Sequence, residues 1–490
     1  MTKEVVETQY SEEELALRRE KAQYDRMTKT PIPRLVVSLG IPTMLNMMVT
    51  SLYNMADTMF VSSLGDQATG AVSVVLALMS IIQAVGFMLG MGAGSLVSSL
   101  LGKRDQKGAD TVASVAFYSA LIIGLILTSV GLIFINPIMN LLGAAKETDV
   151  PVTTFEYAKI YSTYILISAP LMCMSFVMNN LLRSQGKAVT SMIGLCTGAL
   201  LNIVLDPILI YSAGMGVAGA ALATMISQAV SFAILIVIFF GSKVTITRIR
   251  IAYLVGFFSV LWQVIVTGFP SFCRQILASL CTVLLNNLIK DIDGAQAAFG
   301  VVHKIFMLAF SISLGIGQGY QPVLGYNHSA KKYDRVRHAY LFTLEFSTVI
   351  MAAFAIACAL LAPWLMNVFV KGEAGRAIGT ATLRFQCIAM PLLPVNFMAG
   401  LTYQVVGNKV AASMLSVSRQ GMFYIPLIFI LPKVLSGTRG IECLQAVSDV
   451  CAFLFAIPFT AYFLKGLRKK QEQEDKKIEG SDYGEQKEDA

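Results

Sequence analysis

Long apolar runs, broken by short charged segments, occupy most of the chain. Each run is about 22–35 residues long, and about 20 helical residues cross the hydrocarbon core of a bilayer. They predict twelve membrane spans, at approximately 35–62, 69–99, 111–136, 157–182, 188–212, 218–241, 254–289, 296–326, 339–366, 380–404, 410–432 and 441–464. A membrane barrel would show alternating segments of about ten residues instead. Composition agrees. The 490 residues are 55% hydrophobic and 14% charged, whereas a soluble protein carries roughly 25% charged residues. The expected fold is therefore an all-α membrane protein.

The apolar pattern occurs twice. Gly40-Ile-Pro42, an apolar stretch and Gly90-Met-Gly92-Ala-Gly94 return as Gly268-Phe-Pro270, an apolar stretch and Gly315-Ile-Gly317-Gln-Gly319. Ser168-Ala-Pro170 and Phe176 return as Ala389-Met-Pro391 and Phe397. Six spans per copy is an even number, so both copies share one orientation. The repeat is parallel and predicts two six-helix lobes facing a shared cavity. The boundaries expected are a cytosolic N-terminal segment over 1–34, lobes over 35–241 and 254–464, a cytosolic linker over 242–253, and a disordered cytosolic tail over 465–490. The tail is almost devoid of apolar residues. Residues 11–27 begin like a capping box, Ser11 followed by Glu14, and predict a short surface helix.

Loop charge sets the orientation. With both termini inside, the inner loops hold thirteen Lys and Arg and the outer loops six. The net charge of +8 mostly restates this bias. No folded basic domain exists to present a nucleic-acid surface. A monomer in the cell membrane is expected. All eight cysteines fall within predicted spans and none forms a CxxC pair, so they read as small buried residues. No catalytic triad or zinc motif is present, and no cofactor is expected. The glycine triplets resemble fragments of nucleotide loops, but neither follows a strand nor precedes Gly-Lys-Ser/Thr. Four-residue glycine spacing fits close helix packing instead. The chain therefore reads as neither an ATPase nor another enzyme.

The apolar runs of the first copy contain acids. Asp57 lies about five residues from the outer end of span 1, and Asp206 about six from that of span 5. Thr224 and Tyr161 reach similar depth in spans 6 and 4, roughly 8–9 Å below the surface at ~1.5 Å per residue. Asn202 and Tyr53 stand one turn from Asp206 and Asp57. An unpaired charge there costs ~2.5–3.5 kcal/mol on insertion scales, and no Lys or Arg in spans 1–6 lies at that depth. Three states relieve the cost: protonation, a shared proton, or a bound cation. Oxygen-only ligands such as these suit a hard cation such as sodium better than a soft metal. Pro42 and Pro207 are expected bend points, since neither can donate a backbone hydrogen bond.

These segments together resemble the multidrug and toxic compound extrusion family. The resemblance rests on Gly40-Ile-Pro42, Tyr53-Asn-Met-Ala-Asp57-Thr, Leu201-Asn202-Ile-Val-Leu-Asp206-Pro207, the run Gly216 to Thr224, and Gly268-Phe-Pro270, and it covers roughly residues 30–465. It implies a V-shaped pair of lobes that exports organic compounds in exchange for protons or sodium. The implied cation site maps onto Asp57, Asn202, Asp206 and Thr224, with Tyr53 and Tyr161 beside it. The second lobe departs from the pattern of some members, having no carboxylate in spans 7, 8 or 10. It carries Arg274 and Gln275 in span 7, His303 and Lys304 in span 8, Arg419 in span 11 and Asp449 in span 12. Arg274 or Arg419 either pairs with Asp449 or faces the cavity. Arg274, Gln275, His303 and Arg419 are the candidate substrate contacts.

The leading expectation is efflux of amphipathic organic compounds by alternating access, with the N-lobe acids as coupling site. The alternative is a flippase for an anionic lipid-linked precursor. The two arginines favour it and the paired acids oppose it. An intramembrane enzyme or a receptor is a third class. The first would need a nucleophile–base or metal constellation, and the second has no need of a duplicated half.

Overall fold

The computed structural model describes residues 12–144, 152–241, 245–435 and 438–488. Among the described residues, twelve helices are long and apolar enough to cross a membrane. Spans 1 to 6 are Ile32–Ser62, Gln67–Gly102, Gln106–Ile133, Thr154–Ser184, Ala188–Ser212 and Gly216–Gly241. Spans 7 to 12 are Phe257–Ile289, Ala295–Ser329, Tyr333–Phe369, Glu373–Val406, Lys409–Val434 and Leu444–Lys476. The protein is a multi-pass, all-α membrane protein of two parallel six-span lobes in a V. Most helices outrun their apolar stretches, because backbone hydrogen bonding does not stop where side chains turn polar.

Burial reports the repeat. Within the most apolar stretch of each span, 83% is buried in span 4 and 72% in span 10, against at most 50% elsewhere. The fourth span of each lobe is thus its hub. Span 4 also has the best-defined start: Thr153 and Glu156 exchange bonds in a capping box, closing backbone donors that the membrane surface would leave open.

The lobes meet at glycines. A Cβ on Gly268 in span 7 would strike the backbone of Met88 in span 2, and one on Gly92 would strike Val264. Spans 8 and 1 repeat the arrangement, with Gly319 against Gly40 and Gly315 against Met44. Glycine spacing was legible as close packing. The structure adds that several of these positions form the junction between lobes. Polar contacts flank it. Ser51 and Ser311 hydroxyls lie 2.6 Å apart, and Gln321 Nε2 donates to Ser95 Oγ at 2.9 Å. Buried Arg183 donates to Asn180 Oδ1 at 2.6 Å within its own lobe and to Gln318 Oε1 across the junction.

Two expectations at the chain ends are corrected. The N-terminal helix, Glu12–Lys29, does not lie on the surface along its length. Its last turns bury Gln23, Met27 and Thr28 between the lobes. Ser11, the expected cap, lies outside the described residues, as do one outer-loop lysine, Lys146, and one inner-loop lysine, Lys243, of those counted for orientation. The tail expected to be disordered is helical to Glu488, continuous with span 12. Polar pairs one turn apart support it, Arg468 with Glu472 at 3.3 Å and Gln471 with Asp475 at 2.8 Å. Lys331 anchors it through Glu474 at 3.2 Å. Cys443, expected inside span 12, precedes it in a turn, and all eight cysteines are free.

Candidate functional site

Spans 1, 4, 5 and 6 bring the six predicted N-lobe residues into one buried layer. Asp206 is 0% exposed and Asp57 7%. Tyr161 Oη donates to Asp57 Oδ2 at 3.1 Å, with Oδ1 at 3.4 Å. Its oxygen lies 3.5 Å from Thr224 Oγ1. Asn202 Nδ2 donates to Asp206 Oδ1 at 3.2 Å and to Thr224 Oγ1 at 3.4 Å. Tyr53 is buried beside these groups and lines the adjoining cavity.

The polarity of this network is fixed by chemistry. An ionised carboxylate only accepts and the amide nitrogen only donates. Tyr161 therefore donates a hydrogen bond to Asp57, Thr224 can donate to Tyr161, and Asn202 donates to Thr224 and Asp206. The donors run from Asn202 toward both acids. Two acceptors are left over, Asp206 Oδ2 and Asn202 Oδ1, each buried without a partner among the described residues. Neither acid has an ion-pair partner among them. A buried acceptor without a donor costs about 1–3 kcal/mol. The cluster is therefore short of positive charge or of a donor.

Pro207 follows Asp206 and ends the α-helical part of span 5. The chain then widens into a π-helical turn over Ile208–Ser212, a feature frequent at functional sites. Pro42 lies inside span 1, two residues from the Gly40 crossing.

The N-lobe cavity, about 80 Å³, has room for several waters. Its wall includes Tyr53, Asn202 and Thr224, so the acid cluster connects to it. Sequence reasoning missed Gln83, Phe87, Phe176 and Gln228 of the same wall. A signal existed for the amides, since Gln83 and Gln228 are isolated polar groups in apolar runs. The rings carried none.

The four C-lobe candidates separate. Arg274 and Arg419 line one cavity with Phe310, Asn396, Phe397 and Gln420. Gln275 and His303 are partly buried but do not line it. They sit on helical faces that sequence position alone does not resolve. Arg419 both pairs and faces the cavity: its Nε lies 2.6 Å from Asp449 Oδ1. Among the described residues no cluster of three His, Cys, Asp or Glu could hold a metal.

Two six-span lobes, each with a mid-membrane cavity, have the architecture of a transporter. The profile of the MatE family matches residues 42–208 and 270–430. The multidrug export protein MepA of Staphylococcus saprophyticus is 26% identical over 426 residues, 86% of this chain and 92% of MepA. MepA of Staphylococcus aureus strain MRSA252 is 27% identical over the same shares. Among solved structures, a MATE in complex with MaL6 superposes with a TM-score of 0.85 at 27% identity, covering 91% of this chain and 99% of that one. A MOP superfamily transporter from Pyrococcus furiosus, described as having a binding pocket of reverse polarity, superposes at 0.84 with 27% identity, covering 90% and 98%. The chain belongs to the MatE family and is a multi-pass membrane transporter of small molecules.

Proposed function

We propose that this protein exports amphipathic organic compounds across the cell membrane, driven by a proton or sodium gradient coupled at Asp57 and Asp206. It works as a monomer with both termini in the cytoplasm. The observation that carries the coupling assignment is the pair of buried carboxylates with no ion-pair partner among the described residues, beside two bare acceptors, Asp206 Oδ2 and Asn202 Oδ1. A proton on Asp206 converts an acceptor into a donor. A sodium ion offers its charge to Asp206 Oδ2 and Asn202 Oδ1 together. Either ligand supplies what the cluster lacks, and either can leave when the cavity opens to the other side. The relatives named as multidrug exporters support the direction and substrate range.

The test is uptake of a fluorescent amphipathic dye into inverted vesicles under separately imposed proton and sodium gradients. One gradient should drive uptake and the other should not. Uptake that ignores both would sink the coupling assignment.

Alternating access gives a second prediction. Ser51 and Ser311 hydroxyls stand 2.6 Å apart across the lobe junction. A disulfide between Ser51→Cys and Ser311→Cys should form on oxidation, stop dye uptake and release it on reduction. Flux unchanged by complete crosslinking would show that the lobes do not part there.

A further inference from the structure

We propose that the C-lobe cavity is a site for an oxyanion, a carboxylate or phosphate, carried on an apolar body. This rests on the export reading and names the charged end of the substrate. Two arginines reach the cavity wall from different spans, Arg274 from span 7 and Arg419 from span 11. Of the two, only Arg419 is neutralised. Its Nε meets Asp449 Oδ1 at 2.6 Å, and Gln445 Nε2 occupies the same oxygen at 2.8 Å. Asp449 is thus committed. Arg274 has no ion pair among the described residues. The cavity keeps about one positive charge in excess. Arg419 Nη2 is also buried without an acceptor. An oxyanion would give that N–H a partner and neutralise Arg274 at the same time. The guanidinium fork suits a planar carboxylate or a phosphate.

The remaining wall suits the rest of such a molecule. Arg274 lies over the Phe397 ring at 5.2 Å, and Arg419 over Phe306 at 4.8 Å and Phe310 at 5.5 Å. These cation–π contacts hold the guanidinium groups in place without consuming their hydrogen-bond donors. Phe310 and Phe397 stand edge to face, 6.1 Å apart, and offer apolar surface beside the charge. The cavity, about 30 Å³, has room for a small polar head. Asn396, Ser416 and Gln420 supply further polar groups on the wall. A cationic head would meet uncompensated positive charge here, so the two lobes would favour opposite signs.

Equilibrium dialysis on the purified full chain in phosphatidylcholine nanodiscs tests this, with 2-naphthoate and 2-naphthylmethylammonium as matched probes. Arg274→Gln should weaken 2-naphthoate by at least about tenfold and leave the ammonium within about twofold or tighter. Arg274→Lys, which keeps the charge but loses the fork, should recover part of the loss. Retained ammonium binding shows that the variants are folded. Repeating the measurement with phosphatidylglycerol in the bilayer separates the sources of the oxyanion. Arg274-dependent competition assigns it to the phosphate of an anionic lipid, and its absence to a soluble carboxylate. Undetectable 2-naphthoate binding to the unaltered protein would overturn the site. So would an equal loss of both probes in Arg274→Gln. No gradient is present, so a failed export reading leaves this result intact. Conversely, dye export that survives in a protein unable to bind 2-naphthoate would reject the anion site alone.

Discussion

Asp206→Asn is expected to abolish gradient-driven export while the protein still folds into the membrane. Asparagine keeps the shape of the side chain, and its Oδ1 can still accept from Asn202 Nδ2, now 3.2 Å from the carboxylate. What disappears is the capacity to bind and release a positive charge. Coupling free energies of about 1–3 kcal/mol correspond to 5–150-fold effects, so driven uptake should fall by about fivefold or more. Asp57→Asn should behave alike, because Tyr161 can donate to the amide oxygen as it does to the carboxylate. Stability should move the other way. Asp206 is fully buried with one oxygen bare, and removing its charge removes a desolvation cost. The check is dye uptake beside a thermal unfolding curve in the same detergent. Full driven uptake by both variants would sink the assignment. Lost uptake with collapsed stability would mean that the acids hold the fold instead.

The second large effect lies at the junction between the lobes. Gly268→Ala and Gly319→Ala place a methyl group against the backbone of the facing span, at Met88 and Gly40. Backbone cannot rotate out of the way as a side chain can. Overpacking of this kind costs typically about 1–3 kcal/mol, and valine should cost more. Gly300→Ala and Gly466→Ala are internal controls, since nothing lies within 4 Å of a Cβ there. Both should be neutral or slightly stabilising, alanine being the better helix former by about 1 kcal/mol. Unfolding midpoints of the four variants decide the matter. Equal midpoints would mean that the crossings are looser than the structure shows.

The spans were legible because a continuous apolar run has few other uses, and the N-lobe cluster because acids stand out inside such runs. Depth counting placed Asp57, Tyr161, Asp206 and Thr224 in one layer, since helical rise is constant. Rotation about the helix axis was harder to read. Gln275 follows Arg274 in sequence, yet only Arg274 lines the cavity. Glycine spacing announced close packing without saying which lobe was the partner. The two chain ends failed for another reason. Their helices gain stability from docking, and polar composition does not register that. Gln23 and Met27 look solvated in sequence and are buried in the structure.

That N-terminal helix also ties the two lobes together. Its side chains grip the first lobe: Gln23 Nε2 donates to Gln185 O at 2.8 Å, and Arg104 lies over Tyr24 at 4.3 Å. Its final carbonyls are held by the second lobe. Asn327 Nδ2 donates to Met27 O at 3.0 Å, Lys332 Nζ to Thr28 O at 3.1 Å, and Arg335 Nη2 to Thr30 O at 2.6 Å. A helix end has unpaired carbonyls, and cations beside it answer its dipole. Parting the lobes at this end would strip those partners at one stroke. At about 1 kcal/mol net per bond, the three together weight the closed arrangement on the order of a hundredfold. None of these residues lines either cavity, so a segment outside both cavities would bias the lobes toward this arrangement.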